Sequence, residues 1–262
     1  MIDLHTHVLP EFDDGATDWQ MAVSMCRQAA SDGITHLVAT PHFHRGIFPT
    51  PTAAAVETAV EELRRLCKKG LIDNLEVLMG SDCHIFPELP DNLRSGNIPT
   101  INGSRYLLLE LTNDTLPPRL DQFVFDVSLE GVTPIITHPE RNEVLAKHPE
   151  ILYGLVQGGV YAQVTAGSLT GGFGSSVRRT AEMMVRTGLV QMIASDAHDP
   201  DKRPPMLSEA RGVAARLIGD DLAQRMVEDV PREVLEDRPI RYPEPMPERP
   251  RRRSFWRRLL GR

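Results

Sequence analysis

Seven short apolar runs punctuate the chain, at 1–7, 34–40, 76–80, 106–111, 133–138, 160–164 and 189–194. Between them lie stretches patterned as helices. Thr17 with Gln20 three residues on reads as a capping box opening a helix to about residue 31, and Gly33 stops it. The Ala-, Glu- and Leu-rich segment 52–69 is a helix closed by Gly70. Further helices are expected in part of 87–100, at 120–130, 150–157 and 175–187, and then at 204–219 and 220–229. The stretch 167–174 is glycine-rich and reads as a mobile loop after the sixth strand. Strands alternating with helices predict an α/β fold with a parallel sheet, and the near-continuous apolar runs predict that both its faces are covered.

Almost every run ends in a residue that can bind a metal. His5 and His7 stand two apart at the end of the first strand, a spacing that puts two imidazoles on one side of an extended chain. Asp14 follows in a turn-rich loop, and His42, Asp82, Glu110, His138, Asp196 and His198 close later runs. A ligand after nearly every strand favours a closed or distorted barrel, with its site at the C-terminal strand ends, over an open doubly wound sheet with one crevice. Five imidazoles and four carboxylates suit borderline and hard divalent ions, and exceed what one ion needs, so two or three are expected. Such ions lower the pKa of a bound water, so the expected nucleophile is a metal-bound hydroxide. Arg141 and Arg203 follow His138 and His198 closely and offer planar forks for phosphate oxygens, with Arg45 as a third candidate at the rim. His42 and His198 are the candidates for protonating a leaving group. Phe43 and Phe48 either flank an aromatic substrate ring or pack in the body.

A cysteine phosphatase is excluded by spacing. Six residues after Cys26, Cys67 and Cys83 stand Asp32, Asp73 and Leu89, where an arginine is required. The glycine-rich stretch lacks the lysine of a nucleotide-binding loop.

Composition adds location and partners. The 262 residues are 41% hydrophobic and 25% charged, ordinary for a globular protein. Three scattered cysteines, no leader pattern and no long apolar run fit the cytoplasm. The net charge of -7 hides a split: residues 238–262 hold nine arginines and two glutamates, against 20 basic and 34 acidic residues elsewhere. An acidic body disfavours nucleic acid. We expect a phosphatase-type domain over 1–235 and a flexible, disordered Pro/Arg-rich tail over 236–262. If its end is helical, Phe255, Trp256, Leu259 and Leu260 share a face flanked by arginines, suited to an anionic membrane surface or an acidic partner.

The residues Asp3-Leu4-His5-Thr6-His7, Asp13-Asp14-Gly15, Thr40-Pro41-His42, Arg105-Tyr106 with Glu110, His138-Pro139-Glu140-Arg141 and Ser195-Asp196-Ala197-His198 resemble the polymerase-and-histidinol-phosphatase (PHP) superfamily. Gly46-Ile47-Phe48, Ile98-Pro99-Thr100-Ile101-Asn102 and Arg203-Pro204-Pro205 bring the chain nearest to the bacterial metal-dependent protein-tyrosine phosphatases of capsule and exopolysaccharide gene clusters. The resemblance spans about residues 1–235. It implies a distorted (β/α)7 TIM-like barrel, a three-metal site with manganese foremost and iron, zinc, magnesium or cobalt as alternatives, and hydrolysis of phosphotyrosine on the tail of a partner tyrosine kinase. It implies that His5, His7, Asp14, His42, Glu110, His138, Asp196 and His198 are ligands, and that Arg141 and Arg203 contact phosphate. Asp82 stands where the family usually has glutamate. The competing readings are a small-molecule phosphatase of the histidinol-phosphate kind, a metal-binding interaction module and a proofreading nuclease domain.

Overall fold

The computed structural model describes residues 1–246; residues 247–262, with the arginine-rich end of the tail, lie outside it. Nine strands run through these residues: β1 (Ile2–Thr6), β2 (His36–Ala39), β3 (His42–Phe43), β4 (Glu76–Met79), β5 (Asp82–His84), β6 (Tyr106–Glu110), β7 (Thr133–Thr137), β8 (Tyr161–Thr165) and β9 (Met192–Ala194). Eleven helices connect and follow them: α1 (Trp19–Ser31), α2 (Ala53–Lys69), α3 (Leu89–Arg94), α4 (Leu120–Leu129), α5 (Glu143–Lys147), α6 (Pro149–Gln157), α7 (Ala166–Thr170), α8 (Gly174–Arg186), α9 (Ser208–Ile218), α10 (Asp220–Val227) and α11 (Asp229–Leu235).

The strands form two parallel sheets, β1-β2-β4 and β3-β5-β6-β7-β8-β9. Two of the seven expected strands are each split in two. Pro41 separates β2 from β3, because proline has no amide to give the ladder. Gly80 and Ser81 separate β4 from β5 at the same level, so Ala39 pairs with Met79 below the break and His42 with Asp82 above it. The order within each sheet follows the chain without the reversal of a doubly wound sheet. The edge of β1 meets the segment after β9, through a parallel bridge between Thr6 and Ala197. There His7 N–H donates to Ala197 O at 2.8 Å and Asp196 N–H to His5 O at 2.9 Å.

Helix α2 shows how the pattern becomes structure. The Thr52 side chain accepts from Ala55 N–H, Val56, Val60, Leu63 and Cys67 bury one face, and Lys68 and Lys69 complement the dipole at its end. Two local expectations change. The cap of α1 is Asp18, which accepts from Met21 N–H at 2.8 Å, while Thr17 turns to the Met21 sulfur. The stretch expected as a loop at 167–174 is half helix: Ser168 and Leu169 are fully buried in α7, which packing holds in shape despite Gly167.

One apolar cluster lies between the sheets and the helices around them. A second draws Ile2, Leu4, Val38, Leu78, Tyr106, Leu108, Ile135 and Met192 from six strands, and Val230 and Val234 of α11 close it. Ile240 joins this cluster with 8% exposure. Nearby, the Tyr106 hydroxyl donates to Arg238 O at 2.7 Å and Arg105 pairs with Asp237 at 2.9 Å. Met246 N–H donates to Thr187 O at 2.8 Å. Residues 236–246, expected to be flexible, are therefore laid against the body by one buried side chain and several backbone bonds. Replacing Ile240 by alanine is expected to lower the free energy of unfolding by about 2 kcal/mol, read from urea denaturation. An unchanged midpoint would return this segment to the role of a linker.

Candidate metal centre

The site forms where the C-terminal ends of the strands meet. Strict alternation along β1 would send His5 and His7 to the face opposite Leu4 and Ile2, which belong to the inner cluster. A register shift prevents this: Asp3 pairs with Leu37 and Thr6 with Ala39, so β1 spends one extra residue in between. Such a bulge re-aims side chains. Below it Ile2 and Leu4 face inward, and above it His5 and His7 do.

The loop after β1 then folds back over His7. Ala16 N–H donates to His7 O at 3.0 Å, and a Cβ on Gly15 would lie 2.0 Å from that oxygen. Only glycine permits this approach, which brings Asp13 under the His7 ring and Asp14 toward His42 and His198. His138 and Asp196 each carry left-handed backbone, with φ of 36° and 52°. Bonds from His138 N–H to Gln163 O and from Asp196 N–H to His5 O hold them there, both at 2.9 Å.

Eight of the nine expected ligands fall into three overlapping sets whose donor atoms lie within 4.8 Å of one another: His5, His7 and Asp196; His7, Asp14, His42 and His198; and His42, Asp82 and Glu110. His138 stands just outside them, its Nε2 3.7 Å from Glu110 Oε1 and its ring stacked 6.2 Å from His5. All nine are buried except Asp14 at the mouth.

Three of the ligand imidazoles have Nδ1 engaged by an oxygen: His5 by Gln163 Oε1 at 2.9 Å, His7 by Asp13 Oδ2 at 2.7 Å, and His198 by Asp196 O at 2.9 Å. With Nδ1 as donor, Nε2 keeps its lone pair turned to the cluster, the arrangement metal-bound histidines adopt. On the acid side, both oxygens of Asp82, Glu110 Oε2, His42 Nδ1 and His198 Nε2 are buried and meet no hydrogen-bond partner. Buried polar atoms without partners are rare, and a carboxylate so placed calls for a cation. The donor set therefore fits divalent metal.

Without an ion, protons on the imidazoles take up part of the negative charge. Burial alone would depress His5, but the charges of Asp82 and Asp196 carry it up to about 9. His42, also opposed by burial, rises to about 10 through Asp14, Asp82 and Glu110. Burial works against ionised Asp82 and Asp196, yet the imidazoles hold Asp82 well below its ordinary value, and Arg141 with His5 does the same for Asp196. Asp13 falls to about 2 against burial, through His7 and the amide of His42. His138 and His198 are pushed down, chiefly by burial, His198 to about 4.

The three arginines reach the cluster differently. Arg141 and Arg203 both grip Asp196 Oδ2, at 2.9 and 2.6 Å. Arg45 contacts His42 Nε2 and lies 3.6 Å from Glu110 Oε1, with 28% of its side chain exposed. Phe43 is fully buried in the core, whereas the Phe48 ring lies parallel to His42 at 6.0 Å. Several supporting residues had no role in the sequence reading. Gln163 is a fully buried amide in an apolar strand, a signal visible in the run 160–164. Asp13 is adjacent to Asp14. Asp3 accepts from Ser195 N–H, and His84 Nδ1 lies 3.5 Å from Glu110. Glu140, buried after His138, accepts from Ser168 Oγ at 2.6 Å and Thr165 N–H at 3.1 Å.

The family described as capsular polysaccharide synthesis, CpsB/CapC, matches residues 1–236. The tyrosine-protein phosphatase YwqE of Bacillus subtilis is 35% identical over 87% of this chain and 89% of its own. The tyrosine-protein phosphatase CpsB of Streptococcus pneumoniae is 27% identical over 92% of this chain and 100% of its own. A solved structure from work on YwqE and CpsB, described as unique metal-dependent tyrosine phosphatases, superposes with a TM-score of 0.90 at 34% identity, over 95% of this chain and all of that one.

Two outcomes are expected. Saturating manganese should raise the melting temperature, since a ligand at about 100 times its Kd stabilises by about 2.7 kcal/mol, and Asp82→Ala should remove most of the rise. A full rise in the variant would strike Asp82 from the ligands. Gly15→Ala should displace the loop from His7 and release metal on gel filtration, read by elemental analysis; normal metal content would contradict the close approach.

Proposed function

This chain belongs to the CpsB/CapC family of capsular polysaccharide synthesis, and we propose that it is a metal-dependent phosphatase that hydrolyses phosphotyrosine on a protein. The observation that carries the reading is the convergence of eight ligand residues on partnerless buried acid and imidazole atoms, with two arginines at one edge. The names of the relatives supply the substrate class.

In this reading His5, His7, Asp14, His42, Asp82, Glu110, His138, Asp196 and His198 hold two or three divalent ions, with manganese foremost. When bound, such ions supply Lewis acidity: they neutralise phosphate oxygens and acidify water into a nucleophile at neutral pH. The chain's own groups do the rest. Arg141 and Arg203 bind the phosphate and counter the charge that grows on it during displacement. Arg45, with 28% of its side chain exposed, adds positive charge at the mouth. One of His42 and His198, where it is not engaged as a ligand, delivers the proton to the departing tyrosyl oxygen. Phe48, parallel to His42, offers an apolar wall to the aromatic ring of the substrate.

A thiolate route has no support in the chain. All three cysteines are buried. Cys83 adjoins Asp82, but burial and the charges of Asp82 and Glu110 push its thiol well above the ordinary value, which keeps it protonated.

The finer architecture follows the same reading. The meeting of the two sheets at Thr6 and Ala197 supports a distorted (β/α)7 barrel. Residues 1–235 are the catalytic unit. The protein acts in the cytoplasm, on the tail of a capsule or exopolysaccharide tyrosine kinase. The arginines of 251–262 attract an anionic surface such as the inner face of the membrane. No helix among the described residues is long and apolar enough to cross a membrane.

The test compares a phosphotyrosine peptide, a phosphoserine peptide and histidinol phosphate on manganese-loaded protein. We expect turnover of the first, loss of it with a chelator, and no effect of Cys26→Ser. Preference for histidinol phosphate would move the reading to small molecules. Arg141→Ala should cut kcat/KM by about 10²–10³-fold, with metal content unchanged.

A further inference from the structure

Phe173 has no part in the chemistry described so far, yet it touches both arginines of the site. The Arg141 guanidinium carbon lies 4.9 Å from the centre of its ring and that of Arg203 lies 5.7 Å away. Both distances are within the range in which a ring face attracts a cation. The same two guanidiniums meet at Asp196 Oδ2. Each is therefore fixed by two features that it shares with the other: one carboxylate oxygen and one aromatic ring. Their Nε atoms are buried and have no hydrogen-bond partner, so the ring and the carboxylate are their principal restraints.

The local sequence is built around that ring. Phe173 lies in Gly171-Gly172-Phe173-Gly174, between α7 and α8, where Gly171 and Gly174 take φ of 98° and 87°. A side chain at either is strained by that backbone. A Cβ on Gly167 would come within 3.1 Å of the Phe173 ring, so the ring rests on bare backbone of α7. Ser168 of α7 in turn donates to Glu140, the residue before Arg141. The seat of the ring and the loop that carries Arg141 are thus tied together inside the protein.

We propose that Phe173 is a positioning residue for phosphate recognition: its ring holds the Arg141 and Arg203 forks side by side, so that an arriving phosphate meets both at once. The glycine-rich turn after the sixth expected strand exists to seat that ring. Planar guanidiniums stack on a ring, and ammonium groups do not. The pair therefore has to be two arginines. The inference rests on the phosphatase reading only in taking phosphate as the ligand.

The experiment measures inorganic phosphate binding to manganese-loaded protein by calorimetry, beside kcat and KM on a phosphotyrosine peptide. Phe173→Ala and Phe173→Leu should both weaken phosphate binding and lower kcat/KM by about tenfold, with metal content unchanged. Phe173→Tyr should restore both. In an Arg141→Ala, Arg203→Ala background, Phe173→Ala should cost little more, since the ring then has nothing to position. Arg141→Lys keeps the charge and should reproduce the Phe173→Ala loss, which keeps the test open if the alanine variant folds poorly. Wild-type affinity in Phe173→Leu, or an undiminished loss in the arginine-free background, would overturn the proposal in favour of simple packing. Phosphate affinity that depends on Phe173 in a protein that does not turn over phosphotyrosine would leave this inference standing and defeat the substrate reading instead. Absence of phosphate binding in the unaltered protein would defeat the inference.

Discussion

Both oxygens of Asp82 are buried, and neither meets a hydrogen-bond donor. Few groups are costlier in a folded protein than a carboxylate taken from water without a partner. Here the cost recurs, because Glu110 Oε2 is in the same position and Asp196 and Asp14 crowd the same space. Without an ion the imidazoles answer part of it, since the acids around them then draw protons onto His5 and His42 far above the ordinary histidine range. Divalent cations answer it more fully, since one ion can face several carboxylates and the Nε2 lone pairs together. The bonds from Nδ1 of His5, His7 and His198 to oxygen acceptors serve that end: they leave each ring its other nitrogen for the cluster.

To gather these groups the backbone departs from regularity at several points, each beside a ligand. The bulge in β1 turns His5 inward, Gly15 lets the following loop lie on His7, and His138 and Asp196 adopt left-handed backbone at their strand ends. A non-glycine residue held there costs about 1–3 kcal/mol, so the neighbours have to over-determine it. They do so through ladder bonds to Gln163 and His5, which lie on adjacent strands and belong to the site themselves. Support and chemistry thus use the same residues, and a change in one is felt in the other.

What could be read from the chain follows from this division. Strands were legible because apolar runs are local, and the ligands were legible because each ends such a run. That His5, His7, Asp14, His42, Asp82, Glu110, Asp196 and His198 would gather at one end followed from parallel strands with a common end, although the aim of each side chain did not. The bulge was not legible, since an extra residue in one strand is defined only against its neighbour. Nor was the helix at Ala166–Thr170, where Gly167 and the glycines just after it argue for a loop until Leu169 finds a buried seat. The proline-rich residues 239–250 read as a linker because composition reports the average of a segment, while a single isoleucine at 240 and a tyrosine hydroxyl from β6 decide the course of the described part, to residue 246. Asp13 and Gln163 were visible as residues but not as partners, because their roles exist only once the rings they hold are in place.

Asp82 shows how side chain and backbone are fitted to one another. Aspartate reaches one methylene less than the glutamate that the family resemblance leads one to expect, yet its Oδ2 lies 3.2 Å from His42 Nδ1 and 3.5 Å from His5 Nε2. Glu110 comes no closer, at 3.4 Å from the same His42 nitrogen. The strand that carries Asp82 breaks just before it, at Gly80, where an added Cβ would lie 2.9 Å from Val38 of β2. A larger residue there would press on the Val38 and Thr40 side chains beside the strand break. The shorter acid therefore still meets both imidazoles, because the break at Gly80 and Ser81 starts a new strand whose first residue, Asp82, pairs directly with His42.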